Sequence, residues 1–206
     1  MKKKILIFVL SVFGLIWAPQ ADAVVMNFED QVLGETYNVG EFIYARGVKI
    51  DVIQFEPQAG PPITNGFLSI GNSGMANGSG KELEMYNVNL KFMFGPSGCV
   101  SCGIALLFGD LGGDINLGID GDLYKADDFS DLVGLIPDVD LTVVSIKNVG
   151  VLMILKGTNI NTFTIGGQEL GIDSVIACQE QIPEPATICL LGLGSLSLIR
   201  ARRKRS

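Results

Sequence analysis

No histidine occurs in this chain, so neither a Ser–His nor a Cys–His pair can activate a nucleophile. The commonest zinc ligand is missing for the same reason. Acid–base work would rest on the 22 acidic side chains. Paired carboxylates hydrolyse glycosides at separations of about 5 to 9.5 Å, a spacing that so many acids meet by chance. The stretch from Asp110 to Asp128 holds Asp114, Asn116, Asp120 and Asp122, the oxygen donors a hard cation takes. It departs from the EF-hand order, because Gly118 falls at the fifth ligand position and no closing glutamate follows. Cys99-Val100-Ser101-Cys102 is a C-x-x-C. A thioredoxin-type role would need the first cysteine at a helix N-terminus, and a zinc site would need a second pair. Neither is offered, since the motif falls between predicted strands, Cys178 stands alone and Cys189 lies in an apolar stretch. A local Cys99–Cys102 disulfide is therefore expected outside the cytoplasm, with Cys178 buried or unpaired.

The two ends carry chemistry of another kind, that of substrates for processing enzymes. Lys2, Lys3 and Lys4 precede an apolar run from Ile5 to Trp17, and Ala21-Asp22-Ala23 follows. A basic start, a short apolar core and small residues at an A-x-A site predict a secretory signal peptide over residues 1–23, cut after Ala23 by signal peptidase. Thirteen residues of helix rise about 20 Å, short of a hydrocarbon core of about 30 Å, which disfavours an uncleaved anchor.

At the other end Pro183-Glu184-Pro185 leads into an apolar stretch, about 186–199, and then Arg200, Arg202, Arg203, Lys204 and Arg205. Prolines continue neither a helix nor a sheet ladder, so the motif stays extended and open to an enzyme's cleft. The apolar stretch predicts a transmembrane helix that spans with local thinning. The basic cluster cannot cross, so it holds the tail cytoplasmic and leaves everything before it outside. This order resembles the PEP-CTERM sorting signal of Gram-negative bacteria over residues 182–206. The segment also circulates as the "ice-binding protein C-terminal domain", a label for the tail that implies no affinity for ice. The resemblance implies cleavage by an exosortase, transient membrane anchoring, delivery to the cell surface or extracellular matrix, and company with exopolysaccharide production.

Between these ends lies one domain by size, residues 24–181. It carries seven basic and 20 acidic residues, a charge of -13 that the overall -7 conceals. Such a charge favours solubility and excludes a nucleic-acid binder, which needs a basic face. Its signals are almost all strand. Val48-Lys49-Ile50-Asp51-Val52 and Val88 to Phe94 alternate with period two. Leu141 to Lys147 and Val149 to Lys156, split by Asn148, predict a hairpin. Gly103 to Phe108, Ile115 to Ile119, Ile160 to Ile165 and Leu170 to Ala177 add further strands, and only Ala126 to Leu132 suggests a helical turn. Ten or so short strands with glycine-rich turns predict an all-β antiparallel sandwich of the jelly-roll kind. One echo, G-x-E-L-x-aliphatic-x-x-V, joins residues 80–88 to 167–175 and suggests two strands entered from similar glycine turns.

Asn27-Phe28-Glu29-Asp30 at the start and Ile172-Asp173-Ser174-Val175 near the end resemble the opening and closing strands of galactose-binding-like and carbohydrate-binding jelly rolls, which lie side by side. That resemblance implies a structural Ca²⁺ between them, held by Glu29 or Asp30 and by Asp173; the competing role for these residues is to bond their own turns. It also implies sugar contact through aromatic rings. Trp17, the single tryptophan, leaves with the signal peptide, so Tyr37, Tyr44, Tyr86 and Tyr124 remain, each equally able to serve as a core residue. The combined expectation is a non-enzymatic, surface-sorted protein of the envelope or matrix, associated with polysaccharide. A secreted carboxylate-dependent glycosidase or lyase and a structural coat protein are the alternatives.

Overall fold

A computed structural model describes residues 21–76, 80–94, 101–146 and 149–180. The leader, Cys99, Pro183-Glu184-Pro185, the apolar stretch and the basic cluster lie outside the described residues. Twelve strands make up almost all of the domain: β1 Ala21–Met26, β2 Thr36–Asn38, β3 Phe42–Ala45, β4 Val48–Gln54, β5 Phe67–Gly71, β6 Glu82–Met93, β7 Ser101–Asp110, β8 Ile115–Ile119, β9 Asp122–Ala126, β10 Val139–Ile146, β11 Val149–Ile160 and β12 Thr162–Glu180. The expected helical turn is a 3-10 turn at Phe129–Leu132, opened by the Asp128 carboxylate, which accepts from the Ser130 amide. Because β1 starts at Ala21, cleavage after Ala23 would leave only Val24–Met26 of that strand.

The tight hairpins have local causes. Arg46-Gly47 joins β3 to β4 and Asp120-Gly121 joins β8 to β9, all four residues at positive φ. That backbone matches the right-handed twist of paired strands, which is why two-residue loops favour it. The predicted hairpin at Asn148 is also observed, with Val144 opposite Val151 and Ile146 opposite Val149.

All pairings are antiparallel, and two long strands organise them. The first half of β12 pairs with β8 on one side and with the second half of β6 on the other; β9, β4 and β3 extend that layer. The second half of β12 pairs with β7 on one side, and on the other with the first half of β6 and then β1; β11, β10, β5 and β2 complete the second layer. Both long strands change layer at the same level. Asn87 takes φ 56°, and the pairing there is interrupted between Gly167–Val88 and Glu169–Tyr86 without a change of register. Strands that switch sheets through bends are how the corners of an orthogonal sandwich are made. The expected separate strands at 160–165 and 170–177 are therefore one, because Gly166 and Gly167 bend the chain without ending its ladder.

The echo acquires a meaning here. Its two segments pair with each other, Leu83 opposite Ile172 and Val88 opposite Gly167. Gly167 lies within β12 and does not precede it, so the shared glycine-turn explanation holds only for Gly80.

One hydrophobic core fills the space between the layers. Val48, Ile50, Val52, Val88, Leu90, Phe92, Phe163 and Ile165 face it from the first layer, and Leu83, Met85, Ile104, Leu106, Leu152, Ile154, Leu170 and Ile172 from the second. Phe92 and Phe163 meet at 5.6 Å between ring centroids, and Phe129 caps the far end against Phe108 at 5.0 Å. The first and last strands do lie side by side, Val25 opposite Ile176. The expected opening strand at Phe28-Glu29-Asp30 is instead the turn after β1, where Phe28 takes φ 58° and is fully buried.

Candidate functional site

The densest group of ionisable side chains sits on the outer face of the second layer. Glu82 opens β6 and is only 2% exposed. Its Oε1 accepts from Ser73 Oγ and from the Met75 amide, and its Oε2 from the Ala76 amide, each at 2.8 Å. The Ser73 amide donates to Glu84 Oε1 at 3.3 Å. These bonds fasten residues 73–76 across β7 and β12. Two glycines admit the segment, since a Cβ on Gly109 would collide with the Met75 carbonyl and one on Gly171 would press on the Met75 side chain.

Asp173 lies beside this clasp and is 2% exposed. Its Oδ1 accepts from the Ser174 amide at 2.6 Å, where Ser174 takes φ 50°. The register against β7 shifts between Asp173 and Ile176, and there β12 exchanges its neighbour β6 for β1. Burial raises the Asp173 pKa; the bonds from Ser174 pull it down, and the nearby charges of Glu82 and Glu29 push it up again.

Glu29 and Asp30 do not join Asp173 in a ligand set. Glu29 Oε1 accepts from the Lys81 amide at 3.0 Å. The Lys81 ammonium donates to the carbonyls of Glu29 at 2.7 Å and Gln31 at 2.6 Å, taking oxygens a calcium ion would need. Asp30 Oδ1 accepts from the Gln31 side chain at 3.1 Å. Among the described residues no three of Asp, Glu, Cys and His are placed to hold a metal ion. Two acids of the stretch from Asp110 to Asp128 also have partners. Asp114 accepts from the Gln58 amide at 2.7 Å, and Asp120 pairs with Lys156 at 2.6 Å while accepting from Asn161 and Thr162. Burial raises the Asp120 pKa, but Lys156 and those two amides outweigh it and leave it lowered.

Among the tyrosines, Tyr37 and Tyr124 pack on the core. Burial and the Glu35 carboxylate push the Tyr37 hydroxyl up to about 12. Tyr86 stacks on Phe67 at 4.9 Å, and Tyr44 meets Phe42 edge-on at 5.6 Å, with Lys49 over the Phe42 ring. The two exposed ring pairs belong to different layers. The register sets Cys178 opposite Gly103, next to Cys102, while Cys99 lies outside the described residues.

A second polar group lies on the outer face of the first layer. Asn89, Gly166 and Asn116 form one row across β6, β12 and β8. With no side chain on Gly166, Asn116 Nδ2 reaches over the strand to Asn89 Oδ1 at 3.1 Å, and Asn89 Nδ2 donates to the Gln54 carbonyl at 3.0 Å. Sequence reasoning found neither this row nor the Glu82 clasp; the glycine-rich run before Glu82 was the one available sign of the latter.

The domain is thus an all-β sandwich with polar clasps on its outer faces, followed directly by a segment built for processing. That segment, residues 181–205, matches the PEP-CTERM protein-sorting motif. Such motifs are recognised by exosortase, so the chain is marked for export and sorting to the cell surface. No curated protein matches the sequence. Among the described residues no helix is long and apolar enough to cross a membrane, and the apolar stretch 186–199 lies outside them.

Proposed function

We propose that the chain is a non-enzymatic protein of the envelope or extracellular matrix, held briefly in the inner membrane by its tail and released to the surface by an exosortase. The observation that carries this reading is the sorting motif at 181–205 behind a strand-rich acidic domain. The geometry favours it over glycoside hydrolysis, because Glu82 spends both carboxylate oxygens on backbone and hydroxyl donors. In this reading polysaccharide contact falls to the exposed rings of Phe42 and Tyr44, flat apolar surfaces beside the Lys49 ammonium.

Two measurements test it. Mass spectrometry of the mature protein should find an N-terminus created at Ala23 and a C-terminus near Pro183-Glu184-Pro185. A glycan array probed with the purified protein, with and without calcium, should show binding that Tyr44→Ala removes. Uniformly blank arrays would discard the sugar contact, and turnover of polysaccharide abolished by one carboxylate-to-amide change would replace the reading with a hydrolase or lyase.

A further inference from the structure

The outer face of the second layer is clasped at one end only. Farther along β7 and β12 it is exposed among the described residues, and most of the residues that line it are apolar. One row runs Thr142, Met153, Ala105, Ile176 and Val25 across β10, β11, β7, β12 and β1. A second row aligns Val144, Val151, Leu107 and the buried Asp173, and a third aligns Asp140 with Leu155. Val144 and Leu155 are each 58% exposed and Val25 47%. Asp140 is the single exposed charge in these rows, on a domain of net -13.

A bare apolar sheet face of this kind marks a contact surface. These rows, ten positions without Asp173 at about 4.8 by 6.8 Å each, span about 330 Å², below the roughly 800 Å² per partner of a standard protein interface. The area suits a weak contact that something else keeps in place. The chain supplies that something, because β12 crosses this face and ends at Glu180, only five residues before the apolar stretch at Ala186. Five extended residues reach at most about 17 Å.

We infer that this face rests on the lipid bilayer that holds the chain's own tail, an inference that rests on the proposed membrane insertion of residues 186–199. Exposed apolar side chains partition into the interfacial region of a bilayer. The short tether raises their effective concentration there, so a contact too weak to persist in free solution is populated. The contact keeps Pro183-Glu184-Pro185 at membrane level for the sorting enzyme. Once the tail is cut the tether is lost, and the domain leaves with its face uncovered.

Brominated lipids test this with the full-length chain. In a Trp17→Phe background, Met153→Trp reports on the face, Tyr44→Trp on the first layer and Leu193→Trp on the tail. In vesicles of phosphatidylcholine and phosphatidylethanolamine, bromination of the acyl chains should quench Leu193→Trp and should quench Met153→Trp at least twofold. Tyr44→Trp should lose less than about a tenth of its emission, and adding Leu155→Glu should at least halve the Met153→Trp quenching. If Leu193→Trp is quenched and Met153→Trp behaves like Tyr44→Trp, the face does not touch lipid and the tail reading stands. If Leu193→Trp itself is unquenched, the membrane reading fails and this inference with it. Unquenched Met153→Trp in chains that cross-link as pairs would assign the face to a second copy and overturn the proposal.

Discussion

Two stretches of the same outer surface are finished in opposite ways. Around Glu82, and around Asn89 and Asn116, side chains and a crossing segment are bonded down onto the strands. Val144, Met153, Leu155, Ile176 and Val25, by contrast, are exposed and apolar. The clasped regions place polar atoms where water cannot reach, so each lost partner leaves a costly orphan. The bare region has no such obligation, and its residues are free to serve contact with something outside the domain. Stability and contact are thus allotted to different parts of the outer surface.

Substitutions should separate the two regions. The largest effect is expected from Glu82→Ala, which strips three donors of their acceptor and should cost about 3–5 kcal/mol in denaturant unfolding. The amides of Met75 and Ala76 should lose hydrogen-exchange protection first. Gly166→Ala comes next, at about 2–3 kcal/mol, because the added methyl would drive into Asn89 Oδ1 and part it from Asn116. Asp120→Asn should cost about 1 kcal/mol, the scale of a partly exposed ion pair with added amide bonds. Met153→Glu on the bare face should stay within about 0.5 kcal/mol of the parent; a large loss there would erase the contrast.

The pH dependence splits the two aspartates by sign. The folded Asp120 pKa is lowered, so its stabilisation is present above the ordinary carboxylate range and is lost as pH falls through the folded value. The folded Asp173 pKa is raised, so its ionisation costs stability as pH rises from about 3.8 through the folded value. Asp173→Asn should therefore raise the melting temperature at neutral pH, and its advantage should close in acid. Melting curves from pH 3 to 8 read both trends.

Much of the fold was legible because strand alternation is local. Val48 to Val52 buries alternate residues as its pattern implies, Val88 to Phe94 does so except at the buried Asn89, and the hairpin at Asn148 follows from two β-branched runs set close together. The corner was not legible. Gly166 and Gly167 read as a turn between two strands, and only the ladder to β6 shows one strand bending from layer to layer. The partners that Glu29 and Asp30 take were not legible for a similar reason. Glu29 and Asp173 are distant in sequence, and the position of Lys81, which satisfies the intervening carbonyls, depends on how β6 enters the sheet.

The sequence by itself determined the sorting of this protein, because a processing enzyme reads a short local motif. The same holds for the all-β character and the acidity of the domain, both sums over nearby residues. Only the tertiary structure decided which face is clasped and which is bare. That depends on register between strands far apart in the chain, and one residue of slip would turn Met153 and Ile176 from the surface toward the core.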